Sequence, residues 1–164
     1  LLLEGRRFPG LSLRFTGGST PADARLVASI RRRIERAGGR VELVHSFGQE
    51  DRARFLASLT VLSVPIPGGE AFGTFLLEAM ASGVPVVQPR VGGFTELIED
   101  TRGGVLYEPG SAQSLASALG DLLSNRERAR SLGSAGRDAV RARYSTAVMA
   151  AGLEAAVDRA RSHR

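Results

Sequence analysis

The chain alternates between two periodicities. Residues 11–16, "LSLRFT", alternate apolar and polar and stop at Gly17-Gly18, which reads as a strand entering a tight turn. In the following "STPADARLVASIRRRIERAGG", Leu26, Val27, Ile30 and Ile34 recur at helical spacing, with the arginines facing away. Thr20 is the expected N-cap, Pro21 occupies the first helical position, Asp23 falls in the first turn, and Gly38-Gly39 ends the helix. A strand at 41–45, a short helix in "QEDRARFLASL" and a continuous apolar strand at 60–64 come next.

The second half repeats the alternation. "GTFLLEAMAS" is a helix stopped by Gly83, "VPVVQ" a buried strand, "GGFTELIED" a short helix and "GGVLYEP" a short strand. Helices are expected over 112–124 after Ser111, over 126–142 after Asn125, and from Thr146, capped by Ser145, toward Arg161. Short apolar strands alternating with helices imply a parallel sheet covered on both faces, a doubly wound α/β domain. Such sheets take ligands at the C-terminal ends of their strands. The turns there are rich in glycine: Gly17-Gly18, Gly48, Gly68-Gly69 and Gly92-Gly93.

Length and composition narrow the picture. The 164 residues, 43% hydrophobic and 24% charged, suit one folded domain over 1–164, with 145–164 as a C-terminal helix. Aromatics are only 5%, so Leu, Val, Ile and Ala must build the core. With no cysteine, disulfides, thiolate nucleophiles and cysteine-ligated zinc are excluded, which fits a cytoplasmic protein. No run approaches the ~18 apolar residues of a membrane span. The net charge of +5 is carried by arginine. Arg31, Arg32, Arg33 and Arg36 are not interleaved with aromatics, so nucleic acid is not expected as a partner.

The stretch "PIPGGEAFGTFLLEAMASGVPVV" holds the candidate chemistry. A helix begins near Gly73-Thr74 after a glycine-bearing loop. Its first amides have no intrahelical partner, and its dipole favours an anion. Glu78 lies one turn in, placed to accept hydrogen bonds from ribose hydroxyls, and Glu70 lies in the loop before it. On spacing alone the pair reads as an exposed loop acid and a first-turn acid that favours the helix dipole. His45, at a strand end, reads on its own as a packed or solvent-facing residue. No His/Asp/Glu cluster has metal-ligand spacing, and no Asp-x-Asp pair is present.

The whole string "E-A-F-G-T-F-L-L-E-A-M-A-S-G-V-P-V-V" resembles the donor-binding signature of family 4, or group 1, glycosyltransferases, GT-B enzymes with two Rossmann-like domains. The flanking "LVHSFGQEDRARFLASLTVLSVP", "PRVGGFTELIED" and "GGVLYEPGSAQSLASAL" resemble that family too. The resemblance implies a Rossmann-like, doubly wound parallel sheet, the C-terminal half of a GT-B fold lacking its first strand. It implies a retaining transferase that uses a nucleotide-diphosphate sugar without a metal or other cofactor. It assigns Glu70 to the transferred sugar and its anomeric centre. The amides around Phe72, Gly73, Thr74 and Phe75 go to the diphosphate and Glu78 to the ribose. His45, Ser46 and Phe47 go beside the base, and Gly17 and Gly18 to close approach of the donor.

The Arg and Lys that clamp the diphosphate in that family have no counterpart; Arg6 and Arg7 do not match them. The implied partners are the donor and an acceptor-binding N-terminal half. Self-association through an exposed sheet edge and peripheral membrane contact of the full-length enzyme are further expectations. The isolated fragment is expected to be inactive. A non-catalytic nucleotide-binding or interaction module on the same fold is the alternative.

Overall fold

The computed structural model describes residues 2–3, 7–17, 20–44, 49–66, 68 and 70–162. Two compact units divide the chain, Leu1–Arg52 and Ala53–Arg164.

In the first unit, β1 (Leu13–Thr16) pairs in parallel with β2 (Val41–Val44), Leu13 opposite Val41 and Thr16 opposite Val44. Arg14 and Glu42 sit directly across the ladder and close an ion pair of 2.9 Å. A 3-10 turn, Pro21–Asp23, leads into α1 (Ala24–Arg36). Thr20 marks its start as expected, through its partner: Thr20 N and Oγ1 both donate to Asp23 Oδ2 at 2.8 Å. Val27, Ile30 and Ile34 are half-buried, but Leu26 is 60% exposed. Leu26 is one residue from Val27, about 100° round the helix, and so falls off the covered stripe. The predicted strand at 11–16 starts two residues late.

The helix α2 (Gln49–Ala57) carries the buried Phe55 and Leu56. The second unit continues with α3 (Thr74–Ala81), β3 (Val86–Pro89), α4 (Gly93–Thr101), β4 (Gly104–Tyr107), α5 (Ala112–Ser124), α6 (Arg126–Arg143) and α7 (Thr146–Ser162). β3 and β4 are parallel, Val86 opposite Gly104 and Pro89 opposite Tyr107. Every residue of β3 is buried, as a strand covered on both faces must be. Val87, Tyr107, Leu122 and Ala129 form a core cluster, with Val61, Val105, Leu115 and Leu132 packed against it. Each large apolar side chain buried here contributes about 1.5–3 kcal/mol.

The expected strand at 60–64 is reduced to a single parallel bridge, Leu62 to Val86. Leu62 N donates to Pro85 O at 3.0 Å and Val87 N to Leu62 O at 2.9 Å. The bond back from Val64 O would need an amide at position 89, and Pro89 has none. The fully buried Gln88 supplies the replacement. With its amide oriented to satisfy both groups, the side chain donates to Val64 O at 2.8 Å and accepts from Val64 N at 3.1 Å. One side chain thus takes both backbone groups of Val64.

The C-terminal helices are punctuated as their sequences dictate. Ser111 Oγ accepts from Ser114 N at 3.0 Å, and Asn125 Oδ1 accepts from Arg128 N at 2.9 Å. α6 lies against α3 through glycine. A Cβ on Gly133 would stand 2.1 Å from Gly83 O, and one on Gly136 2.9 Å from Gly103 Cα. Among the described residues no helix is long and apolar enough to cross a membrane.

Candidate functional site

The glycine-rich loop before α3 is fixed by backbone contacts. Gly93 N donates to Glu70 O at 3.0 Å. A Cβ on Gly93 would lie 2.3 Å from Ala71 O, so only glycine allows this approach. Gly92, immediately before α4, adopts φ 52 and ψ −148, a conformation that L side chains avoid. The loop carrying Glu70 therefore rests on the first turn of α4. Glu70 itself is exposed, its Oε1 accepting from Ala71 N at 3.3 Å.

Gly73 then turns the chain into α3. It is buried, with φ 76 and ψ 58, left-handed geometry that glycine adopts without strain. A Cβ there would also meet the Phe94 ring at 3.0 Å. Leu76 N donates to Gly73 O at 2.9 Å, closing the first turn. The amides of Thr74 and Phe75 have no acceptor among the described residues, as the start of a helix requires. Thr74 is exposed, so this end of the dipole meets solvent. Phe75 is half-buried and packs edge-on against Phe94, ring centroids 6.1 Å apart. Glu78, four residues after Thr74, lies on the same helix face and is partly exposed.

Phe72 is 48% exposed, and its ring lies 6.2 Å from that of Tyr144, tilted by 48°. Tyr144 O–H donates to Asp100 Oδ2 at 2.8 Å. Arg143 Nε donates to the same oxygen at 3.1 Å, and Arg143 Nη2 to Asp100 O at 2.7 Å. The Tyr144 hydroxyl, helped by the Arg143 guanidinium, holds the Asp100 carboxyl below its ordinary range. Burial first, and Asp100 second, push the Tyr144 phenol up.

Of the residues expected at the site, the structure brings together Glu70, Phe72, Gly73, Thr74, Phe75 and Glu78 on one loop and helix. Gly17 follows β1 in the other unit and is exposed. Gly18, His45, Ser46 and Phe47 lie outside the described residues. Among the described residues no three His, Asp or Glu side chains gather as a metal site. The sequence reading missed Tyr144 and Asp100 because nothing local marks a contact between such distant segments. In the sequence Gly92-Gly93 is only a glycine-rich turn; that the Glu70 loop rests on it emerges from the fold.

Parallel strand pairs, covering helices and a glycine-led helix after a segment bridged to β3 define a Rossmann-like α/β fold. Solved structures share it. Sucrose-phosphate synthase from Thermosynechococcus elongatus superposes with a TM-score of 0.81 at 29% identity, over 93% of this chain and 39% of that one. HepE of Anabaena, crystallised in complex with UDP, superposes with a TM-score of 0.85 at 22% identity, over 96% of this chain and 43% of that one. The fold is that of the C-terminal half of GT-B glycosyltransferases.

The family can be stated more narrowly. Residues 2–125 match the family described as "Glycosyl transferases group 1", and the chain belongs to that family. It is 40% identical over 117 residues to phosphatidyl-myo-inositol mannosyltransferase of Mycobacterium leprae, a match covering 70% of this chain and 31% of that protein. It is also 37% identical over 93 residues to N-acetyl-alpha-D-glucosaminyl L-malate synthase of Bacillus anthracis, over 57% of this chain and 24% of the relative. The chain thus spans under half the length of these relatives.

Proposed function

We propose that this chain is the donor-binding half of a retaining glycosyltransferase that takes a nucleotide-diphosphate sugar. The observation that carries the reading is one short segment. Glu70, the left-handed Gly73, the open amides of Thr74 and Phe75, and Glu78 follow one another along a loop pinned to Gly93. An anionic diphosphate fits the amide end of α3, where aligned N–H groups and the dipole favour it without reorganisation. Glu78 accepts hydrogen bonds from ribose hydroxyls. Glu70 contacts the hydroxyls of the sugar and offsets the positive charge that builds at the anomeric carbon as its bond to the diphosphate breaks. No metal enters this reading, because helix amides meet the diphosphate charge. The names of relatives support a nucleotide-linked donor: one from Mycobacterium tuberculosis is called GDP-mannose-dependent, and HepE was crystallised with UDP-glucose. In this reading the acceptor is bound by a separate N-terminal half of the full-length enzyme.

The test is calorimetric titration of the chain with UDP, GDP and ADP, and with UDP-glucose, GDP-mannose and ADP-glucose. One nucleotide series is expected to bind. Glu78→Ala should weaken it by roughly 1.5–3 kcal/mol, the value of charge-assisted hydrogen bonds. In the full-length enzyme Glu70→Gln should lower kcat more than it changes donor affinity. Absence of binding across the panel, or unchanged affinity in Glu78→Ala, would overturn the assignment.

A further inference from the structure

Phe72 lies between the two groups that the proposed function assigns to the sugar and the diphosphate, Glu70 and Gly73. The loop is held on one side by backbone: Gly93 N bonds to Glu70 O, and the Gly93 Cα packs against Ala71 O. At Phe72 the described contact is a ring contact with Tyr144, a half-buried residue at the junction of α6 and α7. Tyr144 is itself anchored. Its hydroxyl bonds to Asp100 near the C-terminal end of α4, and Arg143 bonds both the carboxylate and the carbonyl of Asp100. One helix, α4, thus supports the loop twice: directly through its first turn, and through Asp100 and Tyr144 from its last.

We infer that Tyr144 is a positioning residue for the Glu70 loop, setting through Phe72 the placement of the carboxylate that faces the donor sugar. A 6.2 Å centroid distance with a 48° tilt lies within the range of attractive aromatic pairs. A phenol tethered at its hydroxyl has little freedom to withdraw its ring. The ring restrains a loop otherwise exposed at residues 70–72. Tyr144 touches no part of the proposed donor; it acts through Phe72. The backbone of Gly73 and the start of α3 are fixed independently by the left-handed turn and by Phe94. Loss of the Tyr144 ring should therefore disturb sugar contacts far more than diphosphate and ribose contacts.

This consequence for the donor rests on the function proposed above, whereas the positioning of the loop does not. The experiment uses the isotopically labelled 164-residue chain with Tyr144→Leu and Tyr144→Phe, and folding is checked by circular dichroism. Tyr144→Leu should shift the amide resonances of Glu70, Ala71 and Phe72 and speed their exchange, while those of Val86 and Val87 stay put. With the nucleotide series that binds, nucleotide-sugar affinity should fall about tenfold while affinity for the bare diphosphate changes less than twofold. Tyr144→Phe, which keeps the ring but loses the tether to Asp100, should shift the same resonances less than Tyr144→Leu and lower nucleotide-sugar affinity about threefold. Equal losses for sugar-bearing and bare nucleotides, or unmoved loop resonances, would overturn the inference. If the wild type binds no nucleotide, the functional reading fails, and the loop resonances alone decide the role of Tyr144. If Tyr144→Leu does not fold, Asp100→Ala, an exposed site that removes the tether, must move the same three resonances for the inference to stand.

Discussion

α6 and α7 are consecutive helices of nearly equal length, 18 and 17 residues, and they meet opposite fates. α6 buries Ala129, Gly133, Gly136, Ala139 and Val140, almost all small. α7 buries nothing and leaves Met149 71% and Leu153 65% exposed. A ranking by side-chain hydrophobicity would place them the other way round. What buries α6 is how closely a neighbour can approach it. The glycines of α6 admit the backbone of the Gly83 turn and of Gly103, so a helix rich in arginine still packs tightly. Burial is a property of the fit between surfaces, and large apolar side chains do not guarantee it.

The contrast breaks most readily at Gly133. A methyl group there would sit 2.1 Å from Gly83 O, so Gly133→Ala must push α6 away from α3. A loss of about 3 kcal/mol is expected, the upper end of overpacking costs, read as a lower denaturant midpoint at unchanged slope. A weaker effect is expected at the start of the same helix. Asn125→Ala removes the acceptor for Arg128 N and should cost about 1 kcal/mol in the same titration. The smallest change has the opposite sign. A Cβ on Gly152 of α7 meets nothing within 4 Å, so Gly152→Ala should raise stability, or the helicity of α7, by about 0.5–1 kcal/mol. If Gly133→Ala were as benign as Gly152→Ala, the packing distinction between the two helices would fall.

The same distinction separates what was readable in the chain from what was not. Ser111, Asn125 and Gly83 announced their helix ends because capping and left-handed turns act through neighbours in sequence. Glu70, Gly73 and Glu78 can be nominated together because one contiguous string carries them. The strand at 60–64 was not legible, since Gln88 and Pro89, on another segment, replace its ladder with side-chain bonds. Leu26 misled because a stripe drawn from residue type ignores where the covered face ends. Tyr144 could not be found at all: its role depends on Phe72 and Asp100, which only folding brings near.

The Gln88–Val64 contact has a consequence for how the sheet chooses its neighbour. An ordinary strand edge offers a repeating row of identical groups and accepts a partner displaced along it. Here the row is interrupted by Pro89, and the next contact is a single carboxamide fully shut off from water. A segment displaced by one residue would strand that carboxamide against apolar side chains, at a cost of about 1–3 kcal/mol for an unsatisfied buried group. The edge therefore behaves as a keyed socket. During folding it rewards one alignment of the segment at 62–64 and penalises the others, and it offers intruding chains a poor template.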